Sequence, residues 1–257
     1  MTAETAKPAG RRRQFVKKFG KKMFRGRLMG YLSKQSRIPD EPVLANELFP
    51  WTEALRAQWP AMRDELDALL KHRAALPDFQ EISPDQYKIS QDARWKTFML
   101  HGFGERFEFG CELCPQTAAA LDKVPHLTTA FFSILAPGKH IPRHRGVTKG
   151  LVRCHLGLHV PTGPERCQMD VGGEPCIWRE GEIFFFDDTY PHEVWNETQE
   201  ERAILLFDFE RPMGLGGRIV SRIMLIALRR TAYFKDAIRN QRAWEQRYRE
   251  MMVTKGQ

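Results

Sequence analysis

The sequence predicts a mainly β fold with helices on its flanks, and three observations carry that expectation. Eight short β-like runs follow one another at 128–135, 140–144, 151–160, 167–171, 174–178, 182–187, 192–196 and 202–209. Turn signals separate them, at Pro137-Gly138, Pro161 to Pro164, Gly172-Gly173 and Glu180-Gly181. With 42% apolar residues in a chain of 257, a large core can be buried, yet no run of about 18 uncharged apolar residues exists to cross a bilayer. Short strands so spaced read as a double-stranded β-helix, the jelly-roll or cupin-like arrangement.

The flanks follow in chain order. Residues 1–14, with Pro, Gly and three consecutive arginines, have nothing to bury and read as disordered. From Phe15 to Leu32 apolar residues recur every three or four positions among Lys and Arg, which predicts a basic amphipathic helix weakened by Gly20, Gly26 and Gly30. It reads as an interfacial helix on a membrane; the alternative is a helix packed on the chain's own body. Ile38 to Pro50 reads as a linker with three prolines, and Thr52 as the N-cap of a helix that Pro60 kinks or restarts. Ala74 to Ala93 reads as loop. Arg94 to Phe103 reads as a strand with Trp95, Thr97, Met99 and His101 on one face, and Pro115 to Val124 as a short helix. After Phe209, an apolar cluster from Ile219 to Leu228 is too short to span, and a basic helix runs to about Tyr248. This end reads either as packed on the sheet or as a second interfacial patch.

Charge divides the chain the same way. Residues 1–37 hold 12 Lys/Arg and one acid; 211–257 hold 11 and three; 38–210 carry 17 bases against 28 acids. The net charge of +8 is therefore +11, −11 and +8 in three parts: an N-terminal basic segment (1–37), a β domain (38–210) and a basic helical extension (211–257). Basic ends suit an anionic partner, a membrane surface or nucleic acid. The N-terminus lacks the apolar stretch of a secretory signal, and five scattered cysteines suggest reduced thiols in the cytosol.

Chemistry concentrates between Ser133 and Phe209. His144 and His192 each sit at the edge of a β-like run, and Arg202 follows ten residues after the second. Neutral imidazoles on rigid strands can bind a divalent transition metal. An arginine fork on the next strand can grip a carboxylate. His126, His140 and His159 lack such a context. Cys111 and Cys114 have zinc-knuckle spacing but no second pair, so they read as packing cysteines.

The strings His-Leu-Gly-Leu at 155–158, Phe-Asp-Asp at 186–188 and His-Glu-Val-Trp at 192–195 resemble the aspartyl/asparaginyl β-hydroxylase family. The resemblance covers roughly Phe49 to Pro212. Trp-Lys-Thr-Phe at 95–98, Cys-Pro-Gln-Thr-Ala at 114–118 and the basic C-terminal extension are similar to its bacterial lipid-hydroxylase branch, which acts on ornithine lipids or lipid A. The resemblance implies a double-stranded β-helix, Fe(II) held by His144 and His192, and 2-oxoglutarate and O2 as cosubstrates. It implies Arg202 for the distal carboxylate of 2-oxoglutarate, with Ser133, Arg153 and His155 also in contact with it. Two residues after His144, where many such oxygenases place a carboxylate ligand, stands Gly146; the resembled family also lacks that acid. Asp187 and Asp188 are implied to form a structural turn.

The function expected is 2-hydroxylation of the acyl chain of a membrane lipid by a protein peripheral on the inner face of the cytoplasmic membrane. The alternative is β-hydroxylation of Asp or Asn in a peptide. A nucleic-acid partner would explain the charge but not the site, and a non-catalytic cupin-like binding module would not need both histidines and Arg202. Nothing in the sequence sets the oligomeric state.

Overall fold

The computed structural model describes residues 26–84, 87, 89–102 and 104–255. Two antiparallel sheets face each other. The larger contains β1 (Val43–Leu44), β2 (Trp95–Gly102), β3 (Glu105–Arg106), β4 (Leu127–Leu135), β6 (Leu151–His159), β9 (Ile183–Phe186) and β11 (Arg202–Glu210), in the order β1-β9-β6-β11-β4-β2-β3. The smaller contains β5 (His140–His144), β7 (Cys167–Val171), β8 (Glu174–Ile177) and β10 (His192–Asn196), in the order β5-β10-β7-β8. From β4 to β11 the chain alternates between the sheets as in a jelly roll, except at the β7–β8 hairpin, which stays within the smaller sheet, and all eight β-like runs of the sequence are strands within a residue or two of the expected bounds.

The larger sheet is buried on both faces. On β11, Arg202, Ile204, Leu206 and Asp208 line the space between the sheets, while Ala203, Leu205, Phe207 and Phe209 join a second core on the outer face. Trp95 and Met99 on β2 and Phe131 on β4 also face inward, as the alternation along β2 predicts.

Helices cover the outer face: α2 (Thr52–Arg56), α3 (Trp59–Leu70), α6 (Pro115–Leu121) and α8 (Ala232–Lys255). Pro60 restarts the helix, in the first turn of α3. Thr52 is not the N-cap: Trp51 holds that place, and the Thr52 hydroxyl donates to the Phe49 carbonyl at 2.7 Å. The stretch 74–93 is not all loop, because Asp78 and Glu81 form a capping box that starts α4 (Phe79–Ile82). Helix α5 (Glu108–Leu113) was too short to leave a periodic signal. β1 lies in the expected linker and adds to the sheet edge at β9.

Both termini dock on this body. Residues 26–35 are helical (α1). Leu32 there is fully buried, the Arg37 amide donates to the Pro212 carbonyl at 2.9 Å, and the Gly214 amide donates to the Gln35 carbonyl at 2.9 Å. This part of the N-terminal segment packs on the chain itself; the rest of the expected interfacial helix, from Phe15 to Phe24, lies outside the described residues. α7 (Leu215–Arg229) links the body to α8. On α8, Ala237, Gln241, Trp244 and Tyr248 form a buried stripe. The Trp244 ring meets Phe98 of β2 edge-on at 5.8 Å, and its indole N–H donates to the Ala75 carbonyl at 2.9 Å. Among the described residues no helix is long and apolar enough to cross a membrane.

Trp244→Ala removes the centre of that stripe and leaves a cavity over β2. It is expected to lower unfolding free energy by about 3–5 kcal/mol, read by urea denaturation. A loss below 1 kcal/mol would mean that α8 does not hold the sheet.

Candidate active site

Pairing between β5 and β10 sets His144 directly opposite His192. Their ring centroids lie 4.1 Å apart with planes inclined at 60°. Each Nδ1 is engaged by a backbone carbonyl two residues back: His144 donates to Pro142 at 2.9 Å and His192 to Tyr190 at 3.0 Å. These bonds fix the Nδ1–H tautomer, so each Nε2 keeps a lone pair. Burial pushes the pKa of His144 down, with the Pro142 carbonyl opposing. Burial, then the neighbouring His144, pushes His192 down to about 3. Two neutral imidazoles side by side with paired Nδ1 atoms form the donor set that a transition metal takes.

Both line a cavity of about 260 Å³ between the sheets. Arg202 is 2% exposed in its wall. Its Nη1 donates to the Ser133 carbonyl at 3.2 Å and lies 3.5 Å from the Ser133 hydroxyl, and its guanidinium sits 4.6 Å over the Trp178 ring. Its Nε has no partner. Burial pulls its pKa down to about 10, which the Cys167 thiol only partly offsets. His155 is placed similarly. Its Nδ1 accepts from the Trp178 indole at 3.3 Å, so the proton is on Nε2, and Nε2 is buried without a partner. The Ser133 hydroxyl accepts from Trp95 at 3.0 Å. Ser133, His155 and Arg202 thus meet in one wall, with two unsatisfied donors and a cation. An unpaired buried cation with spare donors fits an anionic ligand, above all a carboxylate.

Arg153 faces the same cavity but is committed otherwise. Its Nε and Nη2 donate to the two oxygens of Asp208 at 2.7 and 2.9 Å, and Nη2 lies 3.4 Å from Asp188. Asp187 and Asp188 also part company. Asp187 forms the turn, accepting from the Thr189 amide at 2.9 Å and from Lys149 and Arg211 at 2.9 and 2.6 Å. Asp188 lines the cavity, and a Cβ built on Gly146 would collide with its carboxylate. The space that a side chain at 146 would take is therefore filled from a different loop. Burial raises Asp188 to about 6 despite Arg153. The one sequence clue was the missing side chain at Gly146. Among the described residues no three His, Cys, Asp or Glu side chains converge as a metal cage.

The remaining candidates lie elsewhere. His140 pairs with Glu193 at 2.7 Å, and His159 with Asp67 at 2.5 Å; His126 occupies a turn with φ of 53°. All five cysteines are free and buried. Burial pushes Cys111 up to about 11 and Cys114 higher still, which suits packing thiols rather than thiolate ligands.

Residues 56–212 match the family model for aspartyl/asparaginyl β-hydroxylase. The chain belongs to that hydroxylase family. An ornithine lipid ester-linked acyl 2-hydroxylase from Rhizobium tropici is 41% identical over 84% of this chain and 76% of its own length. The human aspartyl/asparaginyl β-hydroxylase is 32% identical over 62% of this chain but only 21% of its own length. A prolyl-4-hydroxylase structure from Pseudomonas putida aligns over 61% of this chain and 88% of that one, at 19% identity and a TM-score of 0.37, too slight a likeness to argue from. The family match ends at Pro212, so α7 and α8 fall outside it.

Because the folded-state pKa of Arg202 lies below its ordinary value, its charge costs the fold free energy at every pH below about 10. Arg202→Met is therefore expected to match or exceed the ligand-free wild type in stability, by up to about 4 kcal/mol, and to lose all thermal stabilisation by 2-oxoglutarate. Equal 2-oxoglutarate shifts in both proteins, by differential scanning fluorimetry, would remove Arg202 from the anion site.

Proposed function

We propose that this chain is an Fe(II)-, 2-oxoglutarate- and O2-dependent hydroxylase that places a 2-hydroxyl on the acyl chain of a membrane lipid, an ornithine lipid first of all. One observation carries the cofactor assignment: a neutral histidine pair shares a cavity with a buried arginine that no carboxylate satisfies. The substrate assignment is supported by the 41% identity to the Rhizobium tropici protein over 84% of this chain.

In this reading His144 and His192 hold iron through Nε2. Arg202, His155 and Ser133 receive the far carboxylate of 2-oxoglutarate, with the Arg202 Nε–H and the His155 Nε2–H already desolvated and unpartnered before it binds. When bound, iron with 2-oxoglutarate supplies the oxidising chemistry, in which dioxygen is reduced, the keto acid leaves as succinate and CO2, and one oxygen enters a C–H bond. Arg153 keeps the wall rigid by its fork to Asp208 and carries positive charge beside the histidines, which helps keep them neutral. No protein base is assigned to the substrate carbon. Phe79, Ile82, Ile89, Met99, Phe131 and Phe234 make the rest of the cavity apolar. Such a lining accepts an acyl chain and excludes water, and it favours lipid over the Asp or Asn side chain of a peptide.

Two measurements test this. Purified protein with Fe(II), 2-oxoglutarate and micellar ornithine lipid should yield lipid one oxygen heavier, with the hydroxyl at C2 by tandem mass spectrometry. Oxidation of an Asp-containing peptide with the lipid left unchanged would overturn the substrate. His144→Ala and His192→Ala should each abolish succinate formation with the fold intact by circular dichroism. Arg202→Lys should raise the 2-oxoglutarate requirement about tenfold or more, since an ammonium cannot reproduce the guanidinium fork.

A further inference from the structure

Beyond the cavity, exposed aliphatic side chains gather on α7. Leu215, Ile219, Ile223 and Ile226 are 66%, 51%, 62% and 48% exposed. Their offsets of four, eight and eleven residues place them within about 80° of one another around a helix of 100° per residue. The opposite face is small and fixed: Gly217 and Ser221 are buried, and Ser221 sits so close over Gly150 that no Cβ would fit there. Gly150 follows Val147 and Thr148, which line the cavity, and Val147 is 52% exposed on its rim. One face of α7 is thus clamped to the rim of the site while the other presents a continuous apolar stripe.

Charge decides what covers that stripe. α7 contains Arg218, Arg222 and Arg229 and no acid, and the helical repeat puts all three along one edge of the stripe, within about 60° of Leu215; Arg222 also pairs with Glu210 at 3.0 Å and the Arg229 guanidinium lies over Gly104, which leaves Arg218 as the exposed charge beside the stripe. The same face of a second copy of the chain, in a two-fold contact, would bring like charges together. Residues 1–25, with nine Lys/Arg and one acid, would do the same. An anionic bilayer offers acyl chains to the stripe and phosphates to the arginines together. At 15 residues the helix is about 22 Å long, too short to span, so it would lie in the plane of the surface.

We propose that α7 is the membrane-docking element of this protein. Its aliphatic stripe enters the boundary between headgroups and acyl chains of an anionic bilayer, the basic edge led by Arg218 stays at the phosphates, and the cavity rim at Val147 is held against the lipid. The purpose of the contact rests on the acyl-lipid reading; the contact itself does not.

The test uses the full chain and the double variant Ile219→Glu/Ile223→Glu, in which both changed residues are exposed. With vesicles of phosphatidylglycerol and phosphatidylcholine, the variant should partition at least about tenfold more weakly than wild type by co-sedimentation. It should also keep its melting temperature and its turnover of micellar ornithine lipid. Since the native thiols are all buried, Ile223→Cys can carry a single environment-sensitive fluorophore, whose emission should shift to the blue on these vesicles. Equal sedimentation of variant and wild type, or unchanged emission, overturns the docking role. So does a wild-type dimer, by sedimentation velocity, that the variant disrupts without change in vesicle binding. Loss of vesicle binding in a protein that never oxidises micellar lipid would leave docking standing and sink the substrate assignment instead.

Discussion

The pairing of β5 with β10 is the constraint on which the site depends. Directly opposed residues of antiparallel strands hold their Cβ atoms about 5 Å apart, so two histidines in register bring their rings together with no reach required. A slip of one residue would turn one imidazole to the opposite face of the sheet. Immediately beyond the pair the register shifts, His192 opposing His144 while Val194 opposes Ile141, so β5 bulges next to the site, as strands do where a side chain must be aimed. Backbone carbonyls at Pro142 and Tyr190 then hold the rings, and neither histidine needs a carboxylate to orient it.

The buried cations around the cavity differ in one respect that matters. Arg211 is held by Asp187, and Arg153 by Asp208 and Asp188. Arg202, as buried as Arg211 and more so than Arg153, has a carbonyl, a thiol and an indole face in place of a carboxylate. A protein selected only for stability would pair or remove such a charge. Holding it unpaired, with an unsatisfied His155 N–H in the same wall, costs the fold free energy and leaves the site ready for an anion, with no reorganisation needed when one binds.

The contrast between acidic middle and basic ends serves two ends at once. Arg242 of α8 pairs with Glu105 and Arg222 of α7 pairs with Glu210, so part of the C-terminal charge docks the helices on the acidic domain. Arg218, beside the α7 stripe, is exposed. The apolar stripe of α7 points away from the core and is covered by nothing among the described residues, whereas α8 buries its stripe at Trp244 and Tyr248.

The sequence by itself determined the eight strands, because turn residues punctuate them and period-two alternation is a local property. It also determined the candidacy of His144, His192 and Arg202, because strand-edge positions and family strings are linear features. It did not reveal α4 or α5, which are too short for a helical repeat to show, or β1, whose pairing needs an edge at β9 that sequence does not display. Above all it read Asp187 and Asp188 as one turn. Only tertiary structure separates them, since Asp188 enters the cavity through space left by the absent side chain of Gly146, 42 residues earlier in the chain. The two sides of α7 divide the same way. Its apolar cluster is legible in the sequence, but which residues meet the body depends on where Gly150 lies, and that is fixed by packing between distant segments rather than by any local propensity.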